Sequence, residues 1–195
     1  MHHPEGGERL PSHIELGRVH PEPRIYVASL ADYNNGRLHG DWIEAAQDPE
    51  DLAAEIHSML RRSPIPGAEE YAIHDYEGFG PLRISEYEGL ETISRIATGI
   101  ATHGEAYAAL ATIVGTDHED ALGRFEDHYL GQYETVEAFA RHIADELGYE
   151  DELQKLPEHL QPYVSIDYAA VARDMEMELH VVEHDDGVWL FDTRL

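Results

Sequence analysis

The fold class of this chain is decided by the stretch RIYVASLADYNNGRLHGDWI, residues 24–43. Its first seven residues are rich in β-branched and aromatic side chains, which predicts a strand that begins at Arg24. Turn-forming residues follow, and the pair Asn35-Gly36 is a strong signal for a tight turn. A second strand is predicted from Leu38 to Ile43. The stretch therefore predicts two strands joined by a turn-rich connection.

A helix is predicted directly after these strands. Asp48 is placed to cap it, and Pro49 suits its first position. Its apolar residues recur at helical spacing, at Leu52, Ile56, Met59 and Leu60. A third strand is predicted from Tyr71 to Tyr76. Together these elements predict a small α+β domain over residues 24–80.

Residues 81–130 change to a helical period and are predicted to form a helical middle domain. Gly104 and Gly115 separate three predicted helices, and the third follows a capping box at residues 116–119. The apolar faces of the three helices are Leu90, Ile93, Ile96 and Ile100, then Ala106, Tyr107, Leu110 and Ile113, then Leu122, Phe125 and Tyr129.

Residues 131–195 are predicted to form a second α+β domain. Thr135 is placed to cap a helix that stops at Gly148, and Asp167 to cap a shorter one after a polar linker at 150–162. Two short strands around Asp186-Gly187 predict a β-hairpin. The core stripe of the first helix is Val136, Phe139, Ala140, Ile143 and Leu147.

The composition is strongly acidic. The 195 residues carry 40 Asp plus Glu against 13 Lys plus Arg, so the formal net charge is −27 at pH 7. Phosphate contacts need clustered Lys and Arg, and this chain has one lysine, Lys155. The composition therefore excludes a nucleic-acid-binding protein, and it argues against attraction to an anionic membrane.

Hydrophobic residues make up 42% of the chain, which is enough for a folded core despite the charge. The absence of Cys excludes disulfides and thiolate metal sites, and no apolar run approaches the roughly 18 residues of a membrane span. Residues 1–23 are rich in Pro, His and Gly without apolar periodicity, which predicts a flexible leader. No secretory signal is recognised, so a cytoplasmic protein is expected.

The acidic residues are spread through segments that are predicted to fold, whereas an acidic tail is a continuous block of like charge. On two predicted helices the carboxylates stand opposite the apolar stripe, with few Lys or Arg to pair them. The candidate acidic surface consists of Asp117, Glu119, Asp120, Glu126, Asp127, Glu134, Glu137, Asp145, Glu146, Glu150, Asp151 and Glu152.

Three interpretations of this charge are open. Ordinary solvated helix faces are the first, although such faces usually mix both signs. Solvation in high salt, as in halophilic proteins, is the second. The third is imitation of a polyanion: at one charge per roughly 1.7 Å of duplex DNA, 27 excess carboxylates correspond to at most about 46 Å of duplex, and those of a dimer to about 92 Å.

One string resembles a catalytic metal site. Residues 180–184 read His-Val-Val-Glu-His, the H-x-x-E-H pattern of inverzincin metallopeptidases. That chemistry needs both histidines one turn apart on a helix and a further ligand, whereas this string lies in a predicted strand. An acidic metal-dependent enzyme that uses His180, Glu183 and His184 is therefore the alternative from another class. We assign no catalytic residue, metal site or cofactor.

Four strings resemble, in order and spacing, the ArdA antirestriction proteins. RIYVASLADYNNGRLHGDWI (24–43) and AIHDYEGF (72–79) are quite specific, and FEDHYLGQYETVEAFA (125–140) and DYAAVARDM (167–175) are looser. The similarity spans roughly residues 24–195. Residues 1–23 look like an extension of the family pattern.

The resemblance implies a DNA mimic, encoded on mobile genetic elements, that occupies the DNA-binding channel of a type I restriction–modification enzyme at its methyltransferase core. It implies no catalytic residues, because the array of acids is the functional group. It also implies an elongated, curved chain of three small domains that are α+β, mostly helical and α+β. A homodimer through the third domain, residues 131–195, completes this expectation.

Overall fold

The computed structural model describes residues 22–194, and it places two three-stranded antiparallel sheets among short helices. The predicted leader, residues 1–23, lies outside the described residues except for Glu22 and Pro23. The strands are β1 (Arg24–Ser29), β2 (Gly40–Glu44), β3 (Tyr71–Glu77), β4 (Tyr129–Tyr133), β5 (Leu179–His184) and β6 (Gly187–Asp192). The helices are α1 (Leu30–Asn34), α2 (Pro49–Arg61), α3 (Leu90–His103), α4 (Glu105–Val114), α5 (Glu119–Gly123), α6 (Phe125–His128), α7 (Val136–Glu146), α8 (Tyr149–Gln154) and α9 (Tyr168–Glu176). The mixture is of the predicted α+β class.

The first sheet has the order β2-β1-β3, and the predicted strands at both ends of the opening stretch are confirmed. Ile25, Val27 and Ile73 are buried on its inner face, where the apolar side of α2 packs. The cap of α2 is also as predicted, because the Asp48 side chain accepts a hydrogen bond from the Glu50 amide. Strand β2 begins at Gly40, two residues later than predicted.

The connection between these two strands was predicted as turn, and this is partly wrong. Its first residues form the short helix α1, which Ser29 caps by accepting a hydrogen bond from the Asp32 amide. The turn at Asn35-Gly36 follows, with Gly36 at a positive φ of 71°. Capping by a serine at the end of β1 therefore outweighs the turn propensity of the residues after it.

Helices α3 and α4 form the centre of the largest hydrophobic cluster. Gly104 joins them with a positive φ of 75°, which agrees with the predicted break at this residue. The helices approach closely at Gly99, where an added Cβ would overlap the Tyr107 ring. The same cluster includes Ile25 and Ile73 of the first sheet, so this sheet and the helix pair share one core.

The third predicted helix of the middle segment is wrong in two respects. It is broken at Arg124 into α5 and α6, and Tyr129 belongs to strand β4 instead of a helical face. The cap is His118, whose Nδ1 accepts from the Ala121 amide at 3.3 Å, and not the predicted capping box at Thr116. The break lets the chain turn into the second sheet, where Tyr129 pairs with Phe191.

The second sheet has the order β4-β6-β5. The predicted hairpin is confirmed, but its loop is Asp185-Asp186, because Gly187 already pairs with His184. Strand β4 was not predicted, because its sequence does not alternate between apolar and polar residues. In the structure all five of its residues are half-buried. Because β4 and β5 both pair with β6, this central strand has partners on both edges.

Strand β6 is buried on both faces. Val188 and Leu190 pack against α7 and α9 in one hydrophobic cluster. Trp189 and Phe191 point the other way and join the cluster that contains Phe125. Strand β6 therefore packs between α7 and α9 on one face and the helices that precede the sheet on the other.

Two predictions for the segment after α7 are corrected. Leu147, predicted as core, is 57% exposed because α7 ends at Glu146. The predicted polar linker at 150–162 contains most of α8 and the start of a single 3₁₀ turn, Gln161–Tyr163. Gly148 has the left-handed conformation expected of a helix stop, at φ 68°. None of the helices in residues 22–194 is long and apolar enough to cross a membrane.

The burial of β6 yields a stability prediction. Replacing Phe191, which is fully buried between Phe125 and Tyr129, by Ala removes a ring from a packed aromatic cluster. We expect Phe191→Ala to lower the free energy of unfolding by about 3–5 kcal/mol in urea titrations.

Leu38→Ala is the matched control, because Leu38 is 71% exposed, and we expect it to cost less than about 0.5 kcal/mol. If Phe191→Ala does not fold, Phe191→Leu is measured in its place. Equal effects of the Phe191 and Leu38 changes would contradict the central role of β6.

Candidate functional site

The carboxylates of this protein lie almost entirely at its surface. Of the 37 Asp and Glu in residues 22–194, 32 are exposed, and only Asp32 is buried. Within the acidic surface, Glu137 is half-buried and the other members are exposed. Since ionised carboxylates are costly to remove from water, the fold keeps nearly all of these charges in contact with solvent.

The acidic surface is carried by consecutive elements, from the loop before α5 to the first turn of α8. Asp117 lies in the loop, Glu119 and Asp120 on α5, and Glu126 and Asp127 on α6. Glu134 lies between β4 and α7. The remaining members are Glu137, Asp145 and Glu146 on α7, and Glu150, Asp151 and Glu152 on α8.

About half of the acidic surface has a partner. Arg95 pairs with Glu119, and Lys155 pairs with Glu152. The other ion pairs join Arg124 to Asp120 at 3.9 Å, Arg141 to Glu137 at 2.7 Å and His142 to Glu146 at 3.6 Å. Apart from Arg95, whose side chain is 28% exposed, the cations of these pairs are exposed, and pairs of that kind contribute little and are screened by salt.

Glu150 accepts a hydrogen bond from a tyrosine, and the other six members make no ion pair with Lys, Arg or His in the described part of the chain. These carboxylates are Asp117, Glu126, Asp127, Glu134, Asp145 and Asp151. Their negative charge is therefore uncompensated by neighbouring side chains.

Helix α8, which carries the run of three acids, is held by a tyrosine. Tyr168 on α9 is 8% exposed, and its hydroxyl donates to Glu150 Oε1 at 3.1 Å. The Arg141 guanidinium lies 4.3 Å from the centre of the Tyr168 ring. Burial raises the pKa of Tyr168, and its hydrogen bond to the Glu150 carboxylate raises the pKa further, so the hydroxyl stays a donor.

The histidine string, residues 180–184, does not lie on a helix. As predicted, it lies in a strand, β5. The His184 ring stacks on Trp189 at 4.1 Å, and its Nδ1 accepts from the Asp186 amide at 3.2 Å. Among the described residues, no three His, Asp or Glu side chains converge to hold a metal ion.

Asp32 is a buried acid that we did not single out from the sequence. The Ser63 hydroxyl donates to Asp32 Oδ2 at 2.6 Å, and this bond is the largest cause that lowers the pKa of Asp32. Its Oδ1 is buried and has no hydrogen-bond partner among the described residues. The available signal was the spacing Ser29-x-x-Asp32, which is typical of a helix start. Asp32 joins α1 to the end of α2 and is separate from the acidic surface.

Comparison with known families shows that this is an antirestriction protein. The matching family is described as Antirestriction protein (ArdA), and its sequence model covers residues 25–189. The chain therefore belongs to the ArdA family, and the resemblance stated from the sequence is confirmed. The family acts against restriction–modification enzymes. No curated protein matches the chain.

The Ser63–Asp32 hydrogen bond yields a pH prediction. Because folding lowers the pKa of Asp32 from its ordinary value of 3.8, the ionised form stabilises the fold above that pH. This stabilisation is lost as the pH falls through the lowered pKa. We expect Ser63→Ala to reduce the melting temperature by several degrees at pH 6, and to reduce it less as the pH approaches 3.

Thermal melts between pH 3 and 7 measure this difference. The control is the same change in an Asp32→Asn background, where no carboxyl titrates and the effect of Ser63→Ala is independent of pH. A pH-independent effect in the wild-type background would contradict the prediction.

Proposed function

We propose that this protein is a DNA mimic that occupies the DNA-binding channel of a type I restriction–modification enzyme, at its methyltransferase core. Binding there blocks cleavage of incoming DNA, and it blocks modification wherever both reactions use the same channel. The observation that carries the proposal is the set of carboxylates from the loop before α5 to α8, seven of which have no cationic partner among residues 22–194. Inhibition by occupancy requires no catalytic residue and no cofactor.

The physical basis is competition for the same cations. An enzyme channel that binds DNA presents Lys and Arg to phosphates at regular intervals. Carboxylates held on folded helices offer the same charge without the entropy cost of ordering a flexible chain. The excess of 27 charges corresponds to at most about 46 Å of duplex DNA, which is long enough to fill a channel.

A homodimer extends the mimic, and exposed apolar side chains support it. Several large ones fall within a short stretch of the chain, from the end of α7 to the 3₁₀ turn. They are Leu147 at 57%, Tyr149 at 50%, Leu160 at 41%, Tyr163 at 85% and Val164 at 43% exposed. Exposed apolar side chains concentrated in one stretch of the chain favour an association surface there. We propose that a second copy of the chain covers them, which places the interface within residues 131–195.

The remaining expectations from the resemblance belong to the same proposal. The domains at 24–80, 81–130 and 131–195 follow one another in an elongated, curved chain, so that the acids of both copies form one continuous surface. The protein acts in the cytoplasm, where restriction enzymes meet incoming DNA, and it is encoded on mobile genetic elements that benefit from this protection.

The decisive experiment is competition with DNA. We expect the purified protein to displace duplex DNA from a type I methyltransferase, with an affinity that falls steeply as salt rises from 0.05 to about 0.3 M. Thermal melts at each salt concentration separate this loss from unfolding in low salt, which a halophilic protein would show. If the protein displaces no DNA from several such enzymes at low salt, the proposal is overturned.

Charge variants test which acids matter. The quadruple change Asp117→Asn, Glu126→Gln, Asp127→Asn and Asp145→Asn removes four unpaired carboxylates of the acidic surface. We expect it to weaken competition about 10–100-fold and each single change to weaken it about threefold or less. The control with equal total charge is Glu44→Gln, Glu69→Gln, Glu70→Gln and Glu86→Gln, all exposed and outside this surface. Equal losses in the two quadruple variants would show that only net charge matters.

The dimer is tested separately. Tyr163→Glu places a charge in the exposed apolar stretch, and we expect it to shift the particle mass from twice 22.0 kDa to 22.0 kDa in light scattering. Tyr87→Glu, at a residue 72% exposed and outside residues 131–195, is the control and leaves the mass unchanged. A wild-type protein that is monomeric at micromolar concentration would contradict the dimer.

A further inference from the structure

The first part of the acidic surface stands on two very short helices. Helix α5 has five residues and α6 has four, and helices of this length are unstable without tertiary contacts. Leu122 and Phe125 supply apolar contacts at the end of α5 and the start of α6. The loop before α5, residues 115–118, has no buried residue. Its position therefore depends on polar contacts.

Arg95 on α3 supplies these contacts. Its guanidinium donates to the Glu119 carboxylate and, from Nη2, to the Thr116 carbonyl oxygen at 2.6 Å. The side chain is 28% exposed, less than any other Lys or Arg that pairs with a carboxylate in residues 22–194. A planar guanidinium makes two such bonds in a fixed geometry, which an ammonium group does not. One side chain thus joins the rigid helix α3 to both ends of the loop.

We propose that Arg95 is a positioning residue for the acidic surface. It holds Asp117, Glu119 and Asp120 at a fixed spacing, so that they meet the cations of the partner enzyme together. This proposal rests on the proposed function as a DNA mimic. If net charge alone governed inhibition, removing Arg95 would strengthen it, because the net charge would change from −27 to −28. Positioning requires the opposite result.

The test compares two variants with the same charge. Arg95→Gln removes the bridge, whereas Arg83→Gln removes an exposed arginine that makes no ion pair with a carboxylate in the described residues. We expect Arg95→Gln to weaken competition with DNA about tenfold at 0.1 M salt and to reduce the slope of log affinity against log salt by about one to two. Arg83→Gln leaves the affinity unchanged or slightly stronger.

Two further measurements separate positioning from global stability. Amide hydrogen exchange is expected to rise in Arg95→Gln at residues 116–121 and to stay at wild-type rates in α3 and β6. Arg95→Lys keeps the charge and the packing of the stem but not the paired geometry. It is expected to fall between the wild type and Arg95→Gln in affinity, and it replaces Arg95→Gln if that variant does not fold.

The outcomes are distinct. Faster exchange at residues 116–121 together with weaker competition supports the proposal. The proposal is overturned if exchange at residues 116–121 rises in Arg95→Gln or Arg95→Lys while that variant still competes with DNA as well as Arg83→Gln does. Failure of the wild-type protein to displace DNA would instead overturn the proposed function, and this proposal with it.

Discussion

The second half of the molecule depends on the burial of one strand from both sides. β6 places Val188 and Leu190 against α7 and α9, and Trp189 and Phe191 against the cluster of α3, α4 and α6. Successive side chains on a strand point to opposite faces, so the residues of β6 pack alternately into two different hydrophobic clusters. Moving β6 by one residue would exchange these two sets, which fixes its register against both neighbouring strands.

This packing works against a strong repulsion. A protein with a net charge of −27 destabilises its own compact state, and in residues 22–194 few carboxylates form an ion pair. Burial of apolar residues provides the opposing free energy, and one cluster extends from Ile25 in the first sheet to Phe191 in the second. The charged elements that lie over this core are short. Their positions therefore come from the core and from a few polar anchors such as Arg95 and Tyr168.

Local signals in the sequence predicted the elements whose residues form a pattern by themselves. β1 and α2 are of this kind, because a β-branched run and a capped apolar stripe are visible within a few residues. Strand β4 is not, because its pairing partner β6 lies more than fifty residues further along the chain. The spacing of Leu122, Phe125 and Tyr129 fits a single helix, yet the break at Arg124 is decided by tertiary packing. The exposure of the acids could be predicted because charged side chains are costly to bury. The ion pair between Arg95 and Glu119 could not, because it joins two helices whose arrangement is set by tertiary packing.

The pairing of Lys155 with Glu152 has a practical consequence for chemical modification. Lys155 is the single lysine of the chain, and its side chain is 67% exposed beside the three acids of α8. Reagents that acylate lysine amines therefore have one side chain to modify, and it lies within the acidic surface. Acylation removes its positive charge, so one reaction both attaches a reporter group and makes the surface more anionic.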